Sequence, residues 1–306
     1  MLAHPFAISA SELSTIPAPI PLWPENKPVS GAPEADFYRD DRPREDGLLD
    51  RFVSNFSYPE LFPYPAAADG NTGLAVLVCP GGAYVGQAID KEGHDLARFF
   101  NSFGVSAFVL KYRVPVVNEK RLCEGVFTGA LADALRAMRF IRANAESYGI
   151  RKVGVMGFSA GGHLAATAST LYKDSLEPNP AMAAISARPD FSILVYPVIT
   201  FTDEERCHKG SRKNLLGLEA TLEELRHFSP ELQVTPETPP CILLQTADDA
   251  VHVGNSILYF MACRAQGVHA EMHLFPDGGH GYGLTQRGLA VDTWPQRLQE
   301  WTLRQK

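Results

Sequence analysis

From about residue 72 onward, apolar runs of strand length alternate with segments of helical period, and this alternation restricts the chain more than any other feature. Leu74–Cys79 is an unbroken apolar run that ends at Pro80-Gly81-Gly82, a strand entering a turn. Residues 105–110, 153–156, 193–198 and 242–245 read as further strands, as does Ala270–Phe275. Between them, residues 96–100 suit a helix stopped by Gly104. Leu131, Ala134, Leu135, Met138 and Ile141 recur at helical spacing, and residues 160–171, 256–265 and 293–303 complete the set of helices. Strands that are apolar throughout, with helices between them, predict an α/β fold: a mostly parallel central sheet covered on both faces.

Composition removes several alternatives. The chain has 306 residues, of which 45% are hydrophobic and 21% charged, too apolar and too weakly charged for a disordered protein. A membrane span needs about 18 or more apolar residues in a row, and the longest runs here are only strand length. The net charge is −7 and no Lys/Arg block occurs, so the basic footprint that nucleic acid requires is missing. Arg39, Arg42 and Arg44 are interleaved with Asp40, Asp41, Glu45 and Asp46, which reads as a solvated mixed-charge loop. The five cysteines are odd in number and form no CxxC pair, and Cys79 and Cys241, in apolar strand-like runs, read as small buried hydrophobes. No HExxH or Cys/His ligand spacing is present, so neither a metal nor another cofactor is expected.

Residues 1–45 are rich in proline, with Pro17, Pro19, Pro21 and Pro24 denying a helix. They are expected to form an extended arm over the body, anchored by Leu22 and Trp23. Residues 202–239 break the alternation with a polar stretch, expected to insert over the strand ends and help shape a site. No internal repeat or linker interrupts residues 72–306, so 1–306 reads as a single domain. The opening Met1-Leu2-Ala3-His4-Pro5 lacks the basic and apolar regions of a signal peptide. That leaves the compartment open between the cytoplasm and export after removal of a signal.

The strongest chemical signal is Gly157-Phe158-Ser159-Ala160-Gly161-Gly162, a Gly-x-Ser-x-Gly run between a strand and a helix. Such an elbow exposes the serine oxygen on a sharp turn, and its flanking glycines avoid collision with neighbouring backbone. The Gly-x-Gly-x-x-Gly spacing of a dinucleotide turn is absent. The helix that follows points its N-terminus at Ser159, so the Ala160 amide can stabilise an oxyanion. A serine nucleophile needs a base. His280, in the glycine-rich run Asp277-Gly278-Gly279-His280-Gly281-Tyr282-Gly283 past the last strand, is favoured, with His252 as the alternative. The acid should follow an earlier strand. Asp248 and Asp249 both do, and Asp248 is favoured, the other serving as a helix N-terminal charge. A second oxyanion donor is assigned to Gly82 or Ala83, in the turn after the first strand of the alternation, and Tyr84 is expected to line the pocket.

With these motifs in view, the sequence resembles the α/β-hydrolase family and, within it, bacterial acetyl-xylan-esterase-like carbohydrate esterases. The resemblance runs from Pro19-Ile20-Pro21-Leu22-Trp23-Pro24 to the C-terminus. It takes in Pro80-Gly81-Gly82-Ala83-Tyr84, Lys91-Glu92-Gly93, Val109-Leu110-Lys111-Tyr112-Arg113 and the elbow through His163-Leu164. It continues through Ser211-Arg212, Asn214-Leu215-Leu216-Gly217, Ala247-Asp248-Asp249, Asn255-Ser256 and the run from Gly278 to Leu284. It implies a nucleophile at Ser159, an acid at Asp248, a base at His280 and an oxyanion loop at Gly81-Gly82-Ala83. Two departures stand out: Ala83 sits where the family often has glycine, and Val251 is followed by His252 where many members have proline. The resemblance implies hydrolysis of short acyl esters, acetyl above all, on xylan-type or other saccharides. The expected partner is a small-molecule or oligosaccharide ester, and a homo-oligomer is compatible with such a chain. A broad carboxylesterase or feruloyl esterase is the alternative, and a non-catalytic hydrolase-fold binding protein ranks below both.

Overall fold

Alternate residues of a strand face opposite sides of its sheet, so a strand buried at every position must be covered on both. Leu74–Cys79, Ser106–Lys111 and Cys241–Thr246 are buried throughout their length, and in Lys152–Phe158 only the first residue is exposed. The computed structural model describes residues 16–23, 37–39, 49–55, 58–117 and 119–306. Its central sheet has eight strands: β1 (Ile20–Pro21), β2 (Glu60–Tyr64), β3 (Leu74–Cys79), β4 (Ser106–Lys111), β5 (Lys152–Phe158), β6 (Ser192–Val195), β7 (Cys241–Thr246) and β8 (Ala270–Phe275). Their order in space is β1-β2-β4-β3-β5-β6-β7-β8. The six from β4 to β8 run parallel, while β1 and β2 are added antiparallel at one edge. This is the mostly parallel sheet the alternation predicts. The antiparallel edge falls before residue 72 and lies outside that pattern.

The helices are α1 (Asp95–Asn101), α2 (Gly129–Ala143), α3 (Ser159–Thr170), α4 (Pro180–Ala183), α5 (Lys209–Leu216), α6 (Leu222–His227), α7 (Gly254–Ala265) and α8 (Trp294–Leu303). A wide π-type turn over Asp90–His94 leads into α1. Helices α2 and α3 pack on each other and on β5, α1 on β4, α7 on β7 and β8, and α8 on β7. Gly154 permits the sheet to close tightly, since a Cβ there would sit 2.1 Å from the Phe191 ring. The strand expected over 193–198 stops at Val195, because Tyr196 takes φ +37°, which breaks the extended backbone.

The segment at the antiparallel edge is fastened by the two expected anchors. Leu22 is buried, and its carbonyl accepts from Arg136 Nε at 2.7 Å. Trp23 donates its indole N–H to Asp133 at 2.7 Å, and the Arg136 guanidinium lies 4.4 Å from its ring centroid. Residues 1–15 and 24–36 of the expected arm, including Pro24, and the mixed-charge residues Asp40, Asp41, Arg42, Arg44, Glu45 and Asp46 lie outside the described residues. The 202–239 segment contains α5 and α6 and reaches the mouth of the site through His208 and Asn214.

Candidate active site

The carboxyl ends of the parallel strands gather the polar groups on one edge of the sheet, where ligands bind in open α/β sheets. Ser159 follows β5 directly and opens α3 with φ +54°, a left-handed conformation that costs a non-glycine residue roughly 1–3 kcal/mol. The flanking glycines are dictated by contact. A Cβ on Gly157 would lie 2.0 Å from the Gly161 carbonyl oxygen, and one on Gly161 would lie 2.1 Å from that of Cys79.

His280 Nε2 stands 3.0 Å from Ser159 Oγ, and its Nδ1 stands 2.7 Å from Asp249 Oδ1. Serine, histidine and a carboxylate thus form one continuous relay. The carboxylate is Asp249, which corrects the sequence preference for Asp248. The two side chains leave the loop in opposite directions. Asp249 turns inward, with its side chain wholly shielded, while exposed Asp248 accepts the amides of Gly279 at 2.9 Å and Gly278 at 3.3 Å. Those amides, Gly279 first, hold the Asp248 carboxyl below the usual range. Asp248 therefore pins the backbone beside His280 and does not touch the imidazole. Asp249 is itself fixed by the Val251 amide, 2.7 Å from Oδ1. Withdrawal from solvent pulls the His280 imidazole toward its neutral form, but the hydrogen bond and charge of Asp249, with Glu92 behind it, outweigh this and raise its pKa. His252, the alternative base, caps its own turn by accepting the Gly254 amide at 2.9 Å.

The loop after β3 supplies the other wall. Gly82 has φ +151°, and a Cβ there would meet the Gly86 carbonyl oxygen at 2.0 Å. Ala83 and Tyr84 follow at φ +51° and +61°. The Asn214 side-chain amide donates to the Ala83 carbonyl at 2.8 Å and holds this strained pair in place. Gly81 donates its N–H to Glu92 Oε2 at 2.7 Å, whereas the amides of Gly82 and Ala83 have no acceptor among the described residues. Tyr84 does not line the cleft, which corrects the expectation for it. The left-handed turn swings its ring inward, where its hydroxyl meets His163 Nδ1 at 2.8 Å, while His163 Nε2–H donates to the Phe228 carbonyl at 2.9 Å.

Several residues of the site escaped sequence reading. Glu92, in the π-type turn, takes the Tyr196 hydroxyl on Oε1 at 2.8 Å, and the Tyr196 ring packs against His280 with centroids 4.6 Å apart. His208 accepts the Ser211 amide on Nδ1 at 3.2 Å, which places its proton on Nε2, and burial lowers its pKa. Phe52, His208, Lys91 and Arg287 join Ser159 and His280 around a cleft of about 480 Å³. Lys91 and Glu92 belong to one of the segments that carry the resemblance, but no spacing rule ties them to the serine. No group of three or more possible metal-ligating side chains occurs among the described residues.

A mostly parallel sheet with a serine on its central elbow, and with histidine and acid on the loops of its last two strands, is the α/β-hydrolase fold. The BD-FAE family matches residues 63–260, and the chain belongs to that family. It is 40% identical over 226 residues to endo-1,4-beta-xylanase B of Butyrivibrio fibrisolvens, a match spanning 73% of this chain and 34% of that protein. It is 34% identical over 237 residues to an acetylxylan esterase of Xylanibacter ruminicola, spanning 75% of this chain and 45% of the relative. The chain thus spans less than half the length of either relative. Among solved structures, an acetyl ester-xyloside bifunctional hydrolase from Caldicellulosiruptor lactoaceticus aligns with a TM-score of 0.74 at 33% identity, over 94% of this chain and 97% of that one. The carboxylesterase Cest-2923 of Lactobacillus plantarum shares the fold, with a TM-score of 0.65 at 22% identity over 89% and 97% of the two chains.

Proposed function

We propose that this protein is a serine carboxylic-ester hydrolase that removes short acyl groups, acetyl foremost, from saccharides of the xylan type. The observation that carries the reading is the unbroken relay Asp249–His280–Ser159 beside a loop with two unused amides. Ser159 Oγ attacks the ester carbonyl while His280 Nε2 takes its proton. Asp249 keeps the proton of the neutral imidazole on Nδ1 and stabilises the imidazolium that forms. The amides of Ala160 and of Gly82 or Ala83 receive the developing oxyanion. His280 then protonates the departing sugar hydroxyl, leaving an acyl-Ser159. A water deprotonated by His280 attacks that ester, and the acid and the free serine are released. No metal or organic cofactor enters any of these steps. The names of the aligned acetylxylan esterase and of the acetyl ester-xyloside bifunctional hydrolase support the substrate class.

Replacing Ser159 with alanine is the direct test. Turnover of p-nitrophenyl acetate should vanish while the circular dichroism spectrum and thermal midpoint stay as they were. Retained turnover would overturn the assignment. A chain-length series from acetate to octanoate should show kcat/KM falling steeply, and a flat profile would indicate a broad carboxylesterase instead.

A further inference from the structure

Two cations bracket the histidine loop, and neither has an acidic partner among the described residues. Lys91 lays its stem along Gly283, where a Cβ would lie 2.6 Å from Lys91 Cγ. This carries Nζ to 3.8 Å from the Cβ position of Gly281, the residue after His280. Arg287 approaches the other end of the loop and donates Nη1–H to the Gly278 carbonyl at 2.8 Å, with the rest of its guanidinium fork unspent. Both side chains line the cleft that holds Ser159. The neighbouring carboxylates direct their hydrogen bonds to other groups. Glu92 is taken by Gly81 and Tyr196, Asp249 lies beneath His280, and Asp292 accepts the amides of residues 287, 288 and 289.

Packing uses only the stem of Lys91 and one N–H of Arg287, so the ammonium and the rest of the guanidinium remain available to a ligand. Lys91 and Arg287 thus bring two cationic heads to a cleft that Glu92 also lines, in a chain whose net charge is −7. We propose that Lys91 and Arg287 form an anion subsite, and that the preferred substrates are esters carrying a carboxylate close to the scissile bond. The proposal rests on the ester-hydrolase reading above and adds the charge of the substrate to it. An arginine fork and a lysine point charge each suit a carboxylate. The carboxylate could belong to a uronic acid on an acetylated saccharide or to the acyl group itself, and two matched pairs of substrates separate these sources.

The first pair is an acetylated xylo-oligosaccharide with and without a uronic acid branch. The second is p-nitrophenyl hemisuccinate against p-nitrophenyl butyrate. At low salt the acidic member of one pair should be turned over with kcat/KM about tenfold above its neutral partner. The ratio should shrink toward one as ionic strength rises. In the double variant Lys91→Gln/Arg287→Gln, and partly in Lys91→Gln alone, it should fall close to one, with thermal melts confirming a folded protein. The pair that shows the preference identifies the source of the carboxylate. Equal rates within both pairs would overturn the proposal, and so would a preference that persists in the double variant. Inactivity toward all four esters is a different result, which would overturn the esterase reading and the subsite with it.

Discussion

Asp249 grips His280 from a position that water does not reach: Oδ1 lies 2.7 Å from Nδ1, and the aspartate side chain has no exposed surface while the imidazole keeps 30% of its own. The two neighbouring carboxylates should therefore respond very differently to the same change. Asp249→Asn should lower kcat on p-nitrophenyl acetate by ~10³–10⁴-fold, through loss of the imidazole tautomer and of the stabilised imidazolium. Asp248→Asn keeps an oxygen for the Gly279 amide and should cost less than about tenfold. The reverse order of effects would return the role to Asp248.

The acid limb of the rate profile follows from the same contact. His280 must be neutral to accept the serine proton, so activity falls as pH drops through its pKa. Asp249 raises that pKa above its ordinary value, so the limb of kcat/KM should lie above the usual histidine midpoint of about 6.5. In the residual activity of Asp249→Asn the limb should move to lower pH, because burial, with the Lys91 charge, is then opposed only by the weaker pull of Glu92. A limb that stays in place would show that another group sets it.

Glu92 supports both walls of the cleft, through the Gly81 amide and the Tyr196 hydroxyl. Glu92→Gln must keep its one oxygen on Gly81, since that amide can only donate, and so turns an NH₂ toward Tyr196. The loss of a charged hydrogen bond should cost about 1–3 kcal/mol of stability. Because Tyr196 packs on His280, kcat should fall by about tenfold as well. Urea denaturation and steady-state kinetics on one preparation measure both, and an unchanged kcat would confine Glu92 to a structural role.

Two buried histidines make the fold sensitive to acid. Burial lowers the pKa of His163 and of His94 to about 4 each, while in the unfolded chain both return to about 6.5. The unfolded state therefore binds more protons between these values. The stability these groups contribute is complete above about pH 6.5 and is lost as pH falls toward 4. The slope near pH 5.5 should be about 2 kcal/mol per pH unit, and His163→Gln should remove roughly half of it. Denaturant midpoints at pH 7.5, 6.5 and 5.5 provide the check, and a pH-independent midpoint would contradict it.

The sheet, Ser159 and His280 were legible because each depends on local pattern: uninterrupted apolar strands, glycines flanking a serine, and glycines around a histidine past a strand. What stayed hidden depends on direction. Adjacent residues such as Asp248 and Asp249 differ only in which way the loop turns each carboxylate. Tyr84 follows two residues with positive φ, and that turn sends its ring into the core. Glu92, Tyr196 and His208 come from three separate segments and meet only through tertiary packing. The short β1 and β2 carry prolines at Pro21 and Pro63, which mask them as strands, and their antiparallel pairing leaves no helical spacing to signal them.

The grip of Asn214 on the Ala83 carbonyl has a consequence for descent. A loop in left-handed backbone stays put only while its surroundings hold it, and part of that hold comes from α5, in a segment that contributes neither nucleophile, acid nor base. Substitutions between residues 202 and 239 can shift the amides of Gly82 and Ala83 by fractions of an ångström without altering Ser159, Asp249 or His280. A lineage built on this plan can thus exchange one ester for another by drift in its insertion, and its diversity should be sought there first.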